Sequence, residues 1–343
     1  MTDSETEKPA KSARGMRGLL IAIVVVVAGW SAFWWISADL VDAGFDDVIA
    51  RQAAEGTTIT CGNRSIGGWP FKIRVACAPL EIARPDGSRL SLKAARAVAL
   101  IYQPQHIIAE ADGPATINPL GLTPDGRAEW KLAQASIKLG VEDPHAVSVA
   151  LENPHLDGFA ALGLNADLTS KVLEAHTRYV GEGANRRRDV ALVAKELSPG
   201  DDGFPLDGEV LIRLADPERA GGTPLMLTAE PRELTIERAT LTDGTTRLSV
   251  SGTLTADAAT GVNGELDLIV EDPDHLAPLL ARLLPPDSPL AKSIAGAVSG
   301  FGKRSEVAGK TQVELPVKVV DGAVSLGIIP LGRIPLHRLP GVL

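Results

Sequence analysis

Cys61 and Cys77 are the only cysteines in the 343-residue chain, and the chemistry that suits them is a disulfide. They form neither a C-x-x-C pair nor part of a four-ligand set, which argues against a zinc or thioredoxin-type redox site. Each ends a short alternating run. Ile59 and Cys61 share one face of Thr57–Cys61; Phe71, Ile73, Val75 and Cys77 share one face of Phe71–Cys77, with Lys72 and Arg74 opposite. Gly62, Gly67, Gly68 and Pro70 lie between the runs and supply turn chemistry, so a hairpin is expected to set the thiols opposite each other. In an oxidising compartment the resulting bond is worth about 3 kcal/mol in the chain-entropy model. The alternative is two buried thiols.

Other reactive residues lack the context that chemistry needs. His145 and His155 each follow a proline, with Asp157 nearby, and two imidazoles plus a carboxylate are an open metal set in principle. However, Ala146–Leu151 between them alternates as a strand, which places the histidines at its opposite ends, roughly 30 Å apart at about 3.3 Å per residue. His106, His176, His275 and His337 are isolated. Arg186, Arg187 and Arg188 have forked guanidinium groups suited to a phosphate, but they follow Gly-Ala-Asn and read as a solvated turn. Gly181-Glu182-Gly183 starts a dinucleotide-like pattern that fails at Arg186. No G-x-S-x-G, H-E-x-x-H or G-x-x-x-x-G-K-[ST] motif occurs. Neither a catalytic residue nor a cofactor or metal ligand set is read from this chain.

The strongest positional signal precedes all of these. Nineteen uncharged residues, Gly18 to Ile36, span roughly 28 Å as a helix, close to the roughly 30 Å hydrocarbon core of a bilayer. Lys8, Lys11, Arg14 and Arg17 precede the run, while Asp39, Asp42, Asp46 and Asp47 follow it, which orients the N-terminus to the cytoplasm. A cleaved signal peptide is the rival reading. Its apolar centre is usually about 7 to 15 residues long, and Ser37-Ala38 is a poor cleavage site. Trp30, Phe33, Trp34 and Trp35 crowd the exit, as suits a permanent anchor whose uncharged run begins with Gly18, Leu19 and Leu20 and closes at Ile36. Beyond residue 36, 30 Lys plus Arg stand against 40 Asp plus Glu, after four basic and three acidic residues are set aside with the tail. This acidic balance argues against nucleic acid as a partner.

Hydrophobic content of 45% supports a real core, and 4% aromatics with 34 Gly and 24 Pro favour short strands and turns over a helix bundle. Asp39–Ala54 reads as a stalk helix stopped by Gly56. Leu80–Arg84 and Arg89–Lys93 flank the turn Pro85-Asp86-Gly87, and Ala97–Tyr102 follows as a further strand. Residues 247–256 and 262–270 alternate cleanly as half-buried strands. Thr311–Val320 and Ala323–Ile329 are joined at Asp321-Gly322, a strong hairpin signal. Two helices lie between, one carrying Leu276, Leu279, Leu280, Leu283 and Leu284 up to Pro285-Pro286. The other starts at Ser288-Pro289 and carries Leu290, Ile294, Val298 and Phe301. The fold class expected is α+β, predominantly antiparallel β-sheet with a few helices, preceded by a single N-terminal transmembrane helix.

Taken in order, the anchor, the stalk and three segments resemble one bacterial family. The segments are Ser65-Ile66-Gly67-Gly68-Trp69-Pro70-Phe71-Lys72-Ile73, then Tyr102-Gln103-Pro104-Gln105-His106-Ile107-Ile108-Ala109, then Asp321-Gly322-Ala323-Val324-Ser325-Leu326-Gly327-Ile328-Ile329-Pro330-Leu331. The family is domain of unknown function 2125, found mainly in alphaproteobacteria, and it implies no activity and no catalytic residues. Trp69 stands where the family often has another aromatic. In architecture alone the chain is also similar to AsmA-like envelope proteins, a resemblance that implies lipid handling between two membranes.

The organisation expected is a cytoplasmic tail over residues 1–17, an anchor over 18–37, a stalk over 38–56 and a β-rich periplasmic region over 57–343. Pro-Gly-Asp-Asp-Gly composition marks residues 199–203 as the place where that region would divide in two. The function expected is non-catalytic: a protein of the bacterial inner membrane, partnered with the bilayer, that binds a lipid or acts as an envelope scaffold. Pairing of a sheet edge with an envelope protein is the alternative, with the Pro-rich tail Ile334–Leu343 as a docking segment. An enzyme with a spatially assembled site ranks third.

Overall fold

The computed structural model describes residues 12–118, 125–140, 144–158, 167–181, 186–200, 204–215, 232–257, 261–283, 290–327 and 329–333. It opens with one continuous helix, α1 (Ser12–Ala54), so the apolar run and the stalk are a single rod. Gly56, with φ +82°, takes the left-handed backbone that ends it. Four short strands follow: β1 (Thr58–Cys61), β2 (Ser65–Gly67), β3 (Lys72–Cys77) and β4 (Leu80–Ala83). Then come the long β5 (Arg89–Leu100) and β6 (Gln103–Asn118). Ala97–Leu100 therefore continues β5 rather than forming a separate strand. The remaining strands of the first half are β7 (Gly126–Glu129), β8 (Leu132–Leu139), β9 (Pro144–Glu152), β10 (His155–Asp157), β11 (Leu168–Thr169), β12 (Val172–Val180) and β13 (Arg187–Pro199).

The second half adds β14 (Leu206–Ala215), β15 (Arg232–Thr242), β16 (Arg247–Asp257) and β17 (Gly261–Glu271). Helices α2 (Leu276–Leu283) and α3 (Leu290–Phe301) follow, then β18 (Lys303–Val307), β19 (Lys310–Val320), β20 (Ala323–Leu326) and β21 (Ile329–Arg333). Asp321 and Gly322 both have positive φ, 49° and 72°, as a tight two-residue hairpin turn requires. Gly327, φ 57°, breaks the expected run from Ala323 to Ile329 into β20 and β21. Ser288-Pro289, Pro285-Pro286 and the tail after Arg333 lie outside the described residues.

All pairings are antiparallel. They join one sheet in the order β3, β5, β6, β8, β9, β12, β13, β14, β15, β16, β17, β19, β20, β21. β13 and β14 pair with each other through Leu197↔Leu206, on either side of residues 199–203, of which 201–203 lie outside the described residues. Directly paired residues share a face, and following them across the sheet traces a single apolar row. It passes from Val75 through Ala97, Ala109, Ala135, Val149, Ala175, Leu192 and Val210 to Ala239, Val250, Leu268 and Leu315. The opposite face carries Arg74, Glu110, Gln134, Glu174, Glu209, Ser249, Asp267 and other polar residues.

A crease crosses the first half of the sheet. β7 and β8 are two parts of one line of chain interrupted at Trp130-Lys131, β9 and β10 at Asn153-Pro154, and β11 and β12 at Ser170-Lys171. β6 is out of step at Gly113-Pro114, and β13 at Lys195-Glu196. Bonds run along the crease from Lys131 N–H to Glu152 O, Asn153 N–H to Lys171 O, and Lys171 N–H to Lys195 O. The buried Ser170 hydroxyl donates to Lys195 O at 2.6 Å. Beyond the crease the strands continue as a wing, in which β4, the first part of β5, the last part of β6, β7, β10 and β11 pair in turn. Ala95 and Ala111 on one side pack with Leu92, Ala115, Ala128 and Leu156 on the other, so the sheet folds toward its apolar face. At the far end α2 and α3 cover that face. Leu276, Leu280 and Val298 pack on Val270, Val313, Leu315 and Val317, all buried.

Candidate functional site

Two places bring together what the sequence singled out. The first is the junction between α1 and the sheet. Cys61 and Cys77 are bonded, with Cα atoms 4.9 Å apart. The surrounding pairing differs from the hairpin expected: β1 pairs with β4, and β3 lies between β2 and β5. Gly62 N–H donates to Pro79 O and Ala78 N–H to Gly62 O, so the bond links the end of β1 to the end of β3 across a backbone clasp. The phase of alternation identified the buried face, and Cys77 is buried, but phase does not identify which strand lies alongside.

α1 is held to the same region by its tryptophans. Trp30 Nε1 donates to Pro70 O at 2.8 Å and Trp34 Nε1 to Lys72 O at 2.9 Å. Trp69 Nε1 reaches Ser31 Oγ at 3.3 Å. Trp34 is only 4% exposed, while Gly18, Leu19, Leu20, Phe33, Trp35 and Ile36 are exposed on the helix surface. The sequence treats the exit tryptophans alike. In the structure two of them turn inward and satisfy carbonyls of the β2–β3 turn, and Trp35 faces out. Further along α1, Arg64 bridges Asp42 at 3.1 Å and Asp46 at 2.5 Å, and lies 5.5 Å from the Phe45 ring centre. The Arg64 hydrogen bond holds the Asp46 carboxyl below its ordinary range.

The second place is the middle of the apolar face, between the crease and the helices. Val149, Leu151, Leu173, Leu192, Gly208 and Val210 line an open trough of about 370 Å³. Val149 and Leu192 remain 38% and 44% exposed, so this stretch of the row is uncovered by any described residue. This contiguous apolar lining, open to one side, makes the trough the candidate site of the apolar face.

The polar candidates are dispersed. His145 is the second residue of β9 and His155 is the first of β10, beyond the Asn153-Pro154 break, 4.0 Å from Asp167. No group of three metal-binding side chains occurs among the described residues. Arg187 and Arg188 begin β13 and are engaged within the sheet: Arg187 faces Asp189 at 3.4 Å, and Arg188 and Arg186 lie over the Tyr179 ring, at 4.7 and 4.2 Å. Residues 182–185, including Glu182 and Gly183, are outside the described residues. Asp189 has the densest set of cations, Arg178 at 3.1 Å, Arg187 and Arg213; these tie strands together on the polar face.

The fold defines a class: a long antiparallel sheet, creased and helix-capped, carried on an N-terminal helix long and apolar enough to cross a membrane. A family model described as an uncharacterized protein conserved in bacteria, domain of unknown function 2125, matches residues 34–335, and the chain belongs to that family. No curated protein and no solved structure matches it.

Proposed function

We propose that this protein is a non-catalytic, single-pass protein of the bacterial inner membrane whose exported sheet binds the acyl chain of a lipid. The observation that carries the reading is the open trough at Val149, Leu173 and Leu192 within an otherwise continuous apolar face. Each strand step is about 4.8 Å, so the face extends roughly 50 Å from β3, beside α1, to β19 under the helices. An extended acyl chain laid across the strands would remove these half-exposed side chains from water at about 25 cal/mol per Å². The basic residues before the anchor and the acidic ones after it support export of the sheet.

The test is site-specific photocrosslinking of the full chain in cells whose phospholipids carry labelled phosphate. p-Benzoylphenylalanine at Leu192 is expected to capture labelled lipid, and the same residue at Arg178, on the polar face of β12, is not. Equal labelling at both positions, or none at Leu192, sinks the acyl-chain reading. A second reading, pairing with another protein's strand, is favoured by β18, all of whose residues are exposed. Protein rather than lipid adducts at Glu306 would select it.

A further inference from the structure

The junction has a geometry that the trough does not explain. Trp30 and Trp34, four residues apart on α1, hold the carbonyls of Pro70 and Lys72, two residues apart. Pro70 lies in the turn before β3 and Lys72 is the first residue of β3, so both bonds sit at the entry to that strand. The turn before β3 therefore lies level with the last apolar turns of the helix. Ile101 N–H donates to Phe71 O at 3.0 Å, which brings the β5–β6 turn beside the β2–β3 turn. Three aromatics at these tips face out: Trp69 at 54%, Phe71 at 59% and Tyr102 at 69% exposure. Directly above them, on the polar face of the sheet, is a cavity of about 410 Å³ lined by Lys72, Arg74, Arg96 and His106 over Val98 and Leu100. Glu110 also borders it but is engaged with Arg96 at 2.7 Å and Gln134 at 2.9 Å. Arg96 additionally holds Asp112, and His106 Nε2 meets Ser136 Oγ at 2.9 Å. Lys72 and Arg74 are exposed and have no carboxylate within ion-pair distance among the described residues.

We infer that the two hairpin tips are embedded in the bilayer surface at the C-terminal end of the apolar run, and that Lys72 and Arg74 hold the phosphate of a phospholipid headgroup in the cavity above them. The dimensions agree. The headgroup zone is roughly 5 to 8 Å thick per leaflet, and Lys72 and Arg74, two residues apart on β3, span about 6.6 Å. Aromatic side chains with an apolar body suit the depth just below that zone, and a guanidinium with an ammonium suits a phosphodiester. The occupant is a lipid of that leaflet because the cavity opens beside the helix that enters it. The inference rests on α1 crossing the membrane and not on the acyl-chain trough, which occupies the opposite face.

The experiment uses the full chain in vesicles of phosphatidylcholine and phosphatidylglycerol. An environment-sensitive fluorophore on Tyr102→Cys should be quenched several-fold more by lipids carrying a nitroxide near the headgroup than the same fluorophore on Asp86→Cys. Native mass spectrometry of the full chain from micelles doped with phosphatidylglycerol should show one retained phospholipid. That retention should fall about tenfold in Lys72→Gln/Arg74→Gln and persist in Lys93→Gln/Arg304→Gln. Equal quenching at the two labels overturns embedding, and equal retention in the two double variants overturns the headgroup site. A chain released from the vesicles by carbonate would instead defeat the membrane crossing itself. Retention of the Cys61–Cys77 bond, read as two mass units, shows that the variants keep the fold of the junction.

Discussion

Replacing Cys61 and Cys77 together by alanine tests whether the junction is a locally stabilised unit. The bond closes a loop with a sequence separation of 16, for which the chain-entropy model gives about 3 kcal/mol. Alanine is the better replacement, because a serine hydroxyl at the buried Cys77 position would add the cost of an unpaired polar group. The strands involved are short and lie at the end of the sheet, whereas β13 to β17 are held on both sides. The loss is therefore expected in local opening rather than in global unfolding. About 3 kcal/mol corresponds to roughly a hundredfold in the opening equilibrium. Hydrogen exchange of the full chain, followed by mass spectrometry, should show peptides within residues 57–83 exchanging about a hundredfold faster in the variant. Peptides within residues 261–283 should be unchanged, and reduction of the native chain should reproduce the pattern. Unchanged exchange in residues 57–83 would refute the reasoning. So would an acceleration spread evenly along the sheet, which would make the bond a global constraint.

Three further outcomes are expected. In Gly302→Ala a Cβ would overlap Val313 Cγ1 and lie 2.7 Å from Val298 O, both residues being fully buried. Thermal unfolding should report a loss of about 1–3 kcal/mol, and an unaltered melting curve would contradict the packing of α3 on β19. Trp34→Phe keeps the ring in place but leaves Lys72 O without its donor, at about 1–2 kcal/mol; tryptic cleavage after Lys72 and Arg74 should quicken roughly tenfold. The Asp46 carboxyl, held low by Arg64, contributes above the ordinary carboxylate range and loses that contribution as pH falls through its lowered pKa. The difference in junction stability between the native chain and Arg64→Gln should thus be constant near neutrality and shrink in acid; a difference growing in acid would reverse the sign argued here.

Much of the sheet was legible because one of its faces is apolar and the other polar. In β16 that alternation is unbroken, in β17 and β19 apolar residues reach the polar face only at Ile269, Pro316 and Val320, and Asp321-Gly322 carries its own turn chemistry. α2 and α3 were legible from leucine spacing. The crease was not, because its interruptions fall at ordinary residues such as Trp130-Lys131 and Ser170-Lys171, and positive φ at Asn153 and Glu196 is not announced by neighbouring sequence. Nor was the register of β1. Alternation gives a strand's face but is silent on its neighbour, so β4 rather than β3 took that place. The exit tryptophans illustrate a third limit. An indole N–H suits a lipid carbonyl as well as Pro70 O or Lys72 O, and only the approach of the β2–β3 turn decides between them. The trough residues carry no signal apart from the rest of the apolar row; what distinguishes Leu192 from Leu315 is that α3 covers one and not the other.

The pairing order has a consequence for how the chain can assemble. Most strands hydrogen-bond to the one made just before them, so a chain threading out of a membrane beside α1 can add strands as they emerge, each using the last as its template. The junction, with its disulfide and indole clasps, supplies the first template. The longest wait falls to β17: its outer edge stays open while α2, α3 and β18 are delivered, until β19 closes it. The two helices are thus inserted where the longest pause falls, and their arrival shields the apolar face just where a half-finished sheet would otherwise be stickiest.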